Sequence, residues 1–237
     1  MEGFSYTNIF DTKGIEYLAI IAFLLLLIPF WLVLNKRIKI KEQFQKVIGV
    51  LSSGILKIPQ GIFYSKNHTW AFLEKSGVAS VGLDDLLLHI TGDVSVRNVK
   101  TPGEKIQKGD LLAEIDQEGK KLSVFSPISG EILAANPVLE TNNKILQHDP
   151  YEKGWICNIK PSNWVEEIPS CYLAEDATDW LKNELNRYKD FLSVNATKYS
   201  PDVSMVVLQD GGELSDNSLA GFPNGMWQDF QKEFLNP

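Results

Sequence analysis

The chain has 237 residues, 44% of them apolar, a formal net charge of −7 and two cysteines. That length holds one ordinary domain with additions, or two small ones. The acidic balance excludes nucleic-acid binding, which needs a basic face to neutralise phosphates.

The first element is apolar. Residues 17–34, "YLAIIAFLLLLIPFWLVL", form an 18-residue run without a charged side chain. As a helix it would rise about 27 Å, close to the hydrocarbon thickness of a bilayer. Tyr17 and Trp31 stand near its ends, where amphipathic rings favour the interface. Pro29 predicts a kink of a kind that membrane helices tolerate. Glu2, Asp11 and Glu16 against Lys13 leave no basic region before the run, and "NKRIKIKE" after it offers no small-residue cleavage site. The expectation is a retained transmembrane helix over 15–35 after a short outer tail, 1–14. Lys36, Arg37, Lys39 and Lys41 follow the span, so the positive-inside rule places the N-terminus outside and the bulk of the chain in the cytoplasm of a bacterial-type inner membrane. In that reducing compartment Cys157 and Cys171 stay thiols, and Cys157, in a strand-like stretch, reads as a buried structural one.

Residues 36–60 read as a basic linker, closed by Ser52, Ser53, Gly54 and Pro59. From 61 to 173 the texture is β. Short runs such as "VSVRNV", "LLAEI", "LSVFSP" and "EILAAN" alternate with turns such as "QEGK" and "PISG". The exception, "LDDLLLHITG", opens with Asp84 and Asp85 and stops at Gly92, which predicts a short helix.

Residues 174–237 form a mixed extension. "EDATDWLKNELNRYKDFLS" places Trp180, Leu181, Leu185, Tyr188, Phe191 and Leu192 at helical spacing. A strand is expected at "VSMVVLQ", a turn at Gly211–Gly212, and a last helix around "GMWQDFQKEFLNP". Its aromatic residues either fold back on the β-domain or dock on a partner. Trp227, Phe230 and Phe234 are the candidates for a partner surface, because exposed aromatic patches mark interfaces.

Catalytic signatures do not stand out. His68, His89 and His148 lack metal-ligand spacing, and no Walker loop or nucleophile elbow occurs. The carboxylate pairs Asp84/Asp85 and Glu166/Glu167 read as helix starts and solvated faces. Neither an enzyme activity nor a metal is expected.

Residues 62–164 resemble the H protein of the glycine cleavage system, a lipoyl-carrying β-domain. The resemblance lies in "YSKNHTW", "VASVGLDDLLLHITGDV", "TPGEKIQKGDLLAEI", "FSPISGEILAAN" and "DPYEKGWICNIKPSNW", in that order. It implies a mainly β barrel-sandwich hybrid with flanking helices, to which this chain adds the N-terminal span and a C-terminal α/β extension. In such hairpins the modified lysine lies eight residues before the proline of the P-x-x-G turn. Here the proline is Pro127 and the position is Gly119. Lys120 and Lys121 follow. A one-residue shift turns a side chain to the opposite face of a strand, so Lys120 points the wrong way and Lys121 stands further from the apex. The expected hairpin has two solvated lysines and no cofactor. The expected role is non-catalytic: a structural or assembly subunit, bound to other subunits of an inner-membrane complex, of which a respiratory or electron-transfer one is an example. The alternative is a tethered lipoyl carrier that loads lipoate on Lys120 or Lys121.

Overall fold

A computed structural model describes residues 17–31, 50–199 and 214–236. The chain divides into two compact units, Met1–Val47 and Ile48–Pro237. In the first, residues 17–31 form helix α1, and every one of its side chains is exposed. These fifteen described residues rise about 22 Å. Among the described residues no helix is long and apolar enough to cross a membrane. The expected span over 15–35 overruns that stretch at both ends, and Lys36, Arg37, Lys39 and Lys41 lie outside the described residues.

The second unit is built on antiparallel sheets. Strands β2 (Phe63–Tyr64), β3 (Thr69–Leu73), β4 (Ala79–Leu83), β6 (Lys105–Ile106), β9 (Gly130–Ala135) and β10 (Trp155–Pro161) make a six-stranded sheet in the order β2-β3-β4-β10-β9-β6. A three-stranded sheet has the order β5-β7-β8, from β5 (Ser95–Asn98), β7 (Leu111–Gln117) and β8 (Lys120–Phe125). The pair β1 (Val50–Leu51) and β11 (Leu214–Ser215) completes the set. Residues 50–51, expected in the linker, therefore pair with the C-terminal extension. The expected strand at 203–209 and turn at Gly211–Gly212 lie outside the described residues.

Several strands are buried on both faces, because alternate side chains feed different cores. Trp70 and Ile156 enter the larger one. Their neighbours Ala71 and Cys157 enter a smaller one with Val81, Ile132 and Ile159. Gly82 is the cross-strand partner of Trp70. A Cβ there would stand 2.6 Å from the indole ring, so only glycine lets that ring lie across β4.

Helix α2 (Asp85–Thr91) follows the expected punctuation. Asp84 caps it by accepting from the Leu87 amide at 2.8 Å, and Gly92 ends it at φ +77°. Short helices α3 (Val138–Thr141), α4 (Ile145–His148) and α5 (Trp164–Glu167) connect the later strands. Helix α6 (Ala174–Tyr199) buries Ala177, Trp180, Leu181, Tyr188 and Leu192, one stripe at helical spacing. Helix α7 (Asn224–Asp229) runs on into a π-helical turn, Phe230–Leu235.

That last segment corrects the expectation of an aromatic partner surface. Trp227 and Phe230 have no exposure and Phe234 has 1%. All three belong to the larger core. Burying such a side chain contributes about 1.5–3 kcal/mol, so the extension folds back rather than offering its aromatic face.

Candidate functional site

The hairpin β7–β8 is the candidate site. Gln117 pairs with Lys120, Asp116 with Lys121 and Ile115 with Leu122, leaving a two-residue turn of Glu118 and Gly119. Both turn residues have positive φ, +53° and +86°. Two such residues make the turn whose twist matches a right-handed hairpin, and glycine takes the second position without steric cost. The Gly119 amide donates to Asp116 Oδ1 at 3.1 Å, which fixes the turn to the end of β7. The sequence position expected to hold a modified lysine is thus an exposed turn glycine.

The two lysines that follow have different surroundings. Lys121 is 55% exposed, with Nζ 3.6 Å from Glu114 on the neighbouring strand. Lys120 is half-buried, a correction to the expectation of two solvated lysines. Its Nζ donates to the carbonyl of Ala220 at 2.5 Å and lies 5.3 Å from the centre of the Trp227 ring. The outer edge of β8 is engaged as well: the Ser123 amide donates to Gln231 Oε1 at 2.6 Å. Ala220, Trp227 and Gln231 had no sequence signal for this role, since they lie 100 or more residues from the strand they meet.

A second cluster lies in the core. His68 is fully buried at φ +58° in the turn before β3. Its Nδ1 donates to Asp84 at 2.7 Å and its Nε2 to Glu184 at 3.3 Å. The ring is stacked between Trp180 and Phe234, 5.2 Å from each. Burial alone would push the imidazole down, but the charges and hydrogen bonds of Asp84 and Glu184 outweigh it and hold His68 at about 9. Arg187 completes the group, pairing with Glu184 and donating to the Phe234 carbonyl at 2.8 Å. His68 is a core residue, as its motif suggested.

His89 likewise faces two carboxylates, Asp216 at 2.8 Å and Asp85 at 3.4 Å. Burial opposes its charge, yet the two partners raise it to about 9. His148 is exposed. The structure therefore places the three histidines in three separate settings. Cys157 sits in the smaller core, where burial pushes its thiol up to about 12. Glu167 accepts from the Ser129 amide at 2.7 Å and fixes the turn after β8, so it is no solvated carboxylate.

The antiparallel sheets, their shared cores and a protruding two-residue hairpin define a lipoyl-type β-module with flanking helices. The sequence model of the family described as Glycine cleavage H-protein matches residues 62–184. The chain belongs to that family, whose members are non-catalytic carrier proteins. It is 34% identical over 134 residues to the probable glycine cleavage system H protein of Thermococcus gammatolerans, covering 56% of this chain and 99% of that one. It is 33% identical over 108 residues to the glycine cleavage system H protein of Bacteroides fragilis, covering 46% and 85%. A crystal structure of a glycine cleavage system H protein from Mycobacterium marinum matches with a TM-score of 0.46 at 20% identity, over 53% of this chain and 99% of that one. The family match ends within α6, so the segment 214–236 that meets β8 lies beyond it.

Proposed function

We propose that this chain is a membrane-tethered H-protein-like module that carries no lipoyl group and serves as a structural or assembly subunit of an inner-membrane complex. One observation carries the loss of the carrier role: a turn glycine, Gly119, stands where the family's arm would be attached, while the adjacent Lys120 is tied to Ala220 and Trp227. A swinging arm needs a free amine at the apex, and neither feature provides one. The tether is supported by the uncharged run 17–34, whose helical part has every side chain exposed, and by the basic residues that follow it in sequence.

The second reading, a tethered carrier, has an observation in its favour. Lys121 is open to solvent one residue beyond Lys120, and the family itself is one of carriers. Intact mass of the native protein, solubilised from membranes in mild detergent, separates the two. An unmodified chain that co-purifies with stoichiometric membrane subunits is expected. A lipoyl adduct on Lys121 or Lys120 overturns the adaptor reading in favour of the carrier.

A further inference from the structure

Strand β8 is one of the two outer strands of its sheet, and an outer strand presents unpaired amides and carbonyls to any extended segment that meets it. It is also the strand on which both hairpin lysines stand. Three contacts from residues 214–236 converge on it. Gln231 occupies the Ser123 amide on its open edge, the Ala220 carbonyl takes the Lys120 ammonium, and the Trp227 ring lies beneath that ammonium.

The contacts are anchored from behind. The Asn217 amide donates to the His89 carbonyl at 2.7 Å and the Leu219 amide to the Ile90 carbonyl at 3.0 Å, so the loop that ends at Ala220 is fastened to the last turn of α2. Trp227 Nε1 donates to the Leu219 carbonyl at 3.0 Å, which sets its ring relative to Ala220. The side chains of Met226, Trp227, Phe230, Phe234 and Leu235 are sunk in the larger core. Lys120 therefore enters a socket whose walls are held independently of it.

We propose that the C-terminal segment Leu214–Leu235 is a built-in cap on the second hairpin strand, which withholds Lys120 from acyl transfer and closes the strand edge to outside partners. Acylation needs the Nζ lone pair free of a proton and open to attack. In the capped state Nζ–H points at a carbonyl and the ring blocks one approach. A partner that reads this module then meets the exposed turn and the Lys121 side of the hairpin. The inference deepens the adaptor reading and rests on it, since it explains how Lys120, the lysine next to the turn, stays inert.

The test is site-resolved acetylation of the full chain in mild detergent with sulfosuccinimidyl acetate. That reagent forms an amide at Nζ, releases N-hydroxysulfosuccinimide and gives the displaced proton to buffer. Lys120 should react about tenfold or more slowly than Lys121, the ratio expected if the cap opens in no more than about a tenth of molecules. In denaturing urea the two rates should converge. A native ratio well short of tenfold overturns the cap, as does a lag that persists in urea. The readout is independent of native mass: a lipoylated Lys121 beside a slow Lys120 would sink the adaptor and leave the cap standing, whereas an unmodified chain with a fast Lys120 would do the reverse.

Discussion

Arg187 grips Phe234 twice. Its Nη2 donates to the Phe234 carbonyl at 2.8 Å, and its guanidinium carbon lies 4.0 Å from the centre of the Phe234 ring. A planar cation with a fork of donors can satisfy the end of a helix and cover an aromatic face at once, which lysine cannot do. The same guanidinium pairs with Glu184, so the chain from His68 through Glu184 to Arg187 ends on the last turn of the protein. The cap over β8 is thereby joined to a charged seam in the core.

Arg187→Met keeps much of the stem and removes the fork. The loss of charge-assisted hydrogen bonds to Glu184 and Phe234 should lower stability by about 1.5–3 kcal/mol in urea titration. Amide exchange should quicken in residues 230–235 before it does in β3 or β4. Uniform protection in the folded variant would show that the guanidinium does not hold the last turn.

His68 and His89 give the fold an alkaline sensitivity. Both are held charged at about 9, above their ordinary value of 6.5. A raised histidine contributes stability in full below pH ~6.5, and the contribution fades as pH climbs through about 9. The urea midpoint should therefore fall between those limits, ahead of the tyrosines, whose unfolded values lie near 10. His68→Gln should flatten the slope and leave the part due to His89. His68→Ala should cost about 3–5 kcal/mol at neutral pH, because the buried Asp84 carboxylate loses its cationic partner and keeps only the Leu87 amide. A midpoint independent of pH across that window would mean that His68 is not an imidazolium.

Gly82→Ala tests the packing of the six-stranded sheet. The added methyl would stand 2.6 Å from Cζ2 of Trp70, whose Nε1 is fixed to the Leu83 carbonyl at 2.8 Å. Neither partner has room to yield. A loss of about 1–3 kcal/mol and a changed indole fluorescence are expected. Unaltered stability would mean that the sheet can open at this pair.

Much of this was legible along the chain. Asp84 and Gly92 bracket α2 in sequence as they do in space, and the stripe from Trp180 to Leu192 announced the buried face of α6. The turn signal "QEGK" put Gly119 at the hairpin turn, and the spacing from Pro127 that the family resemblance implies fell on the same residue. Pairings across long sequence separations were not legible. Val50–Leu51 is too short to show a period, and its partner lies beyond residue 213. The stripe of Trp227, Phe230 and Phe234 reads the same whether it meets its own barrel or another protein, since periodicity reports which face is apolar and not what covers it. The environment of Lys120 was hidden for the same reason: its partner is a backbone carbonyl, which every residue possesses.

Gly119→Lys asks whether the missing arm alone separates this hairpin from a loaded one. Nothing lies within 4 Å of a Cβ built at Gly119, so the side chain would project freely from the apex. Its backbone has φ +86°, which an L-residue occupies at a cost of about 1–2 kcal/mol. Glu118 already bears such a conformation at φ +53°, so the turn should survive the change with that modest loss. The variant should then accept a lipoyl group from a lipoate–protein ligase, read as an adduct on Lys at 119 by peptide mass, while the unaltered chain should not. If the variant folds and stays unmodified, the ligase is excluded by something besides the absent amine. The cap on β8 would be the first place to look, since it covers the strand that follows the turn. If the unaltered chain is itself modified, the glycine at the apex has lost nothing and the hairpin is a carrier.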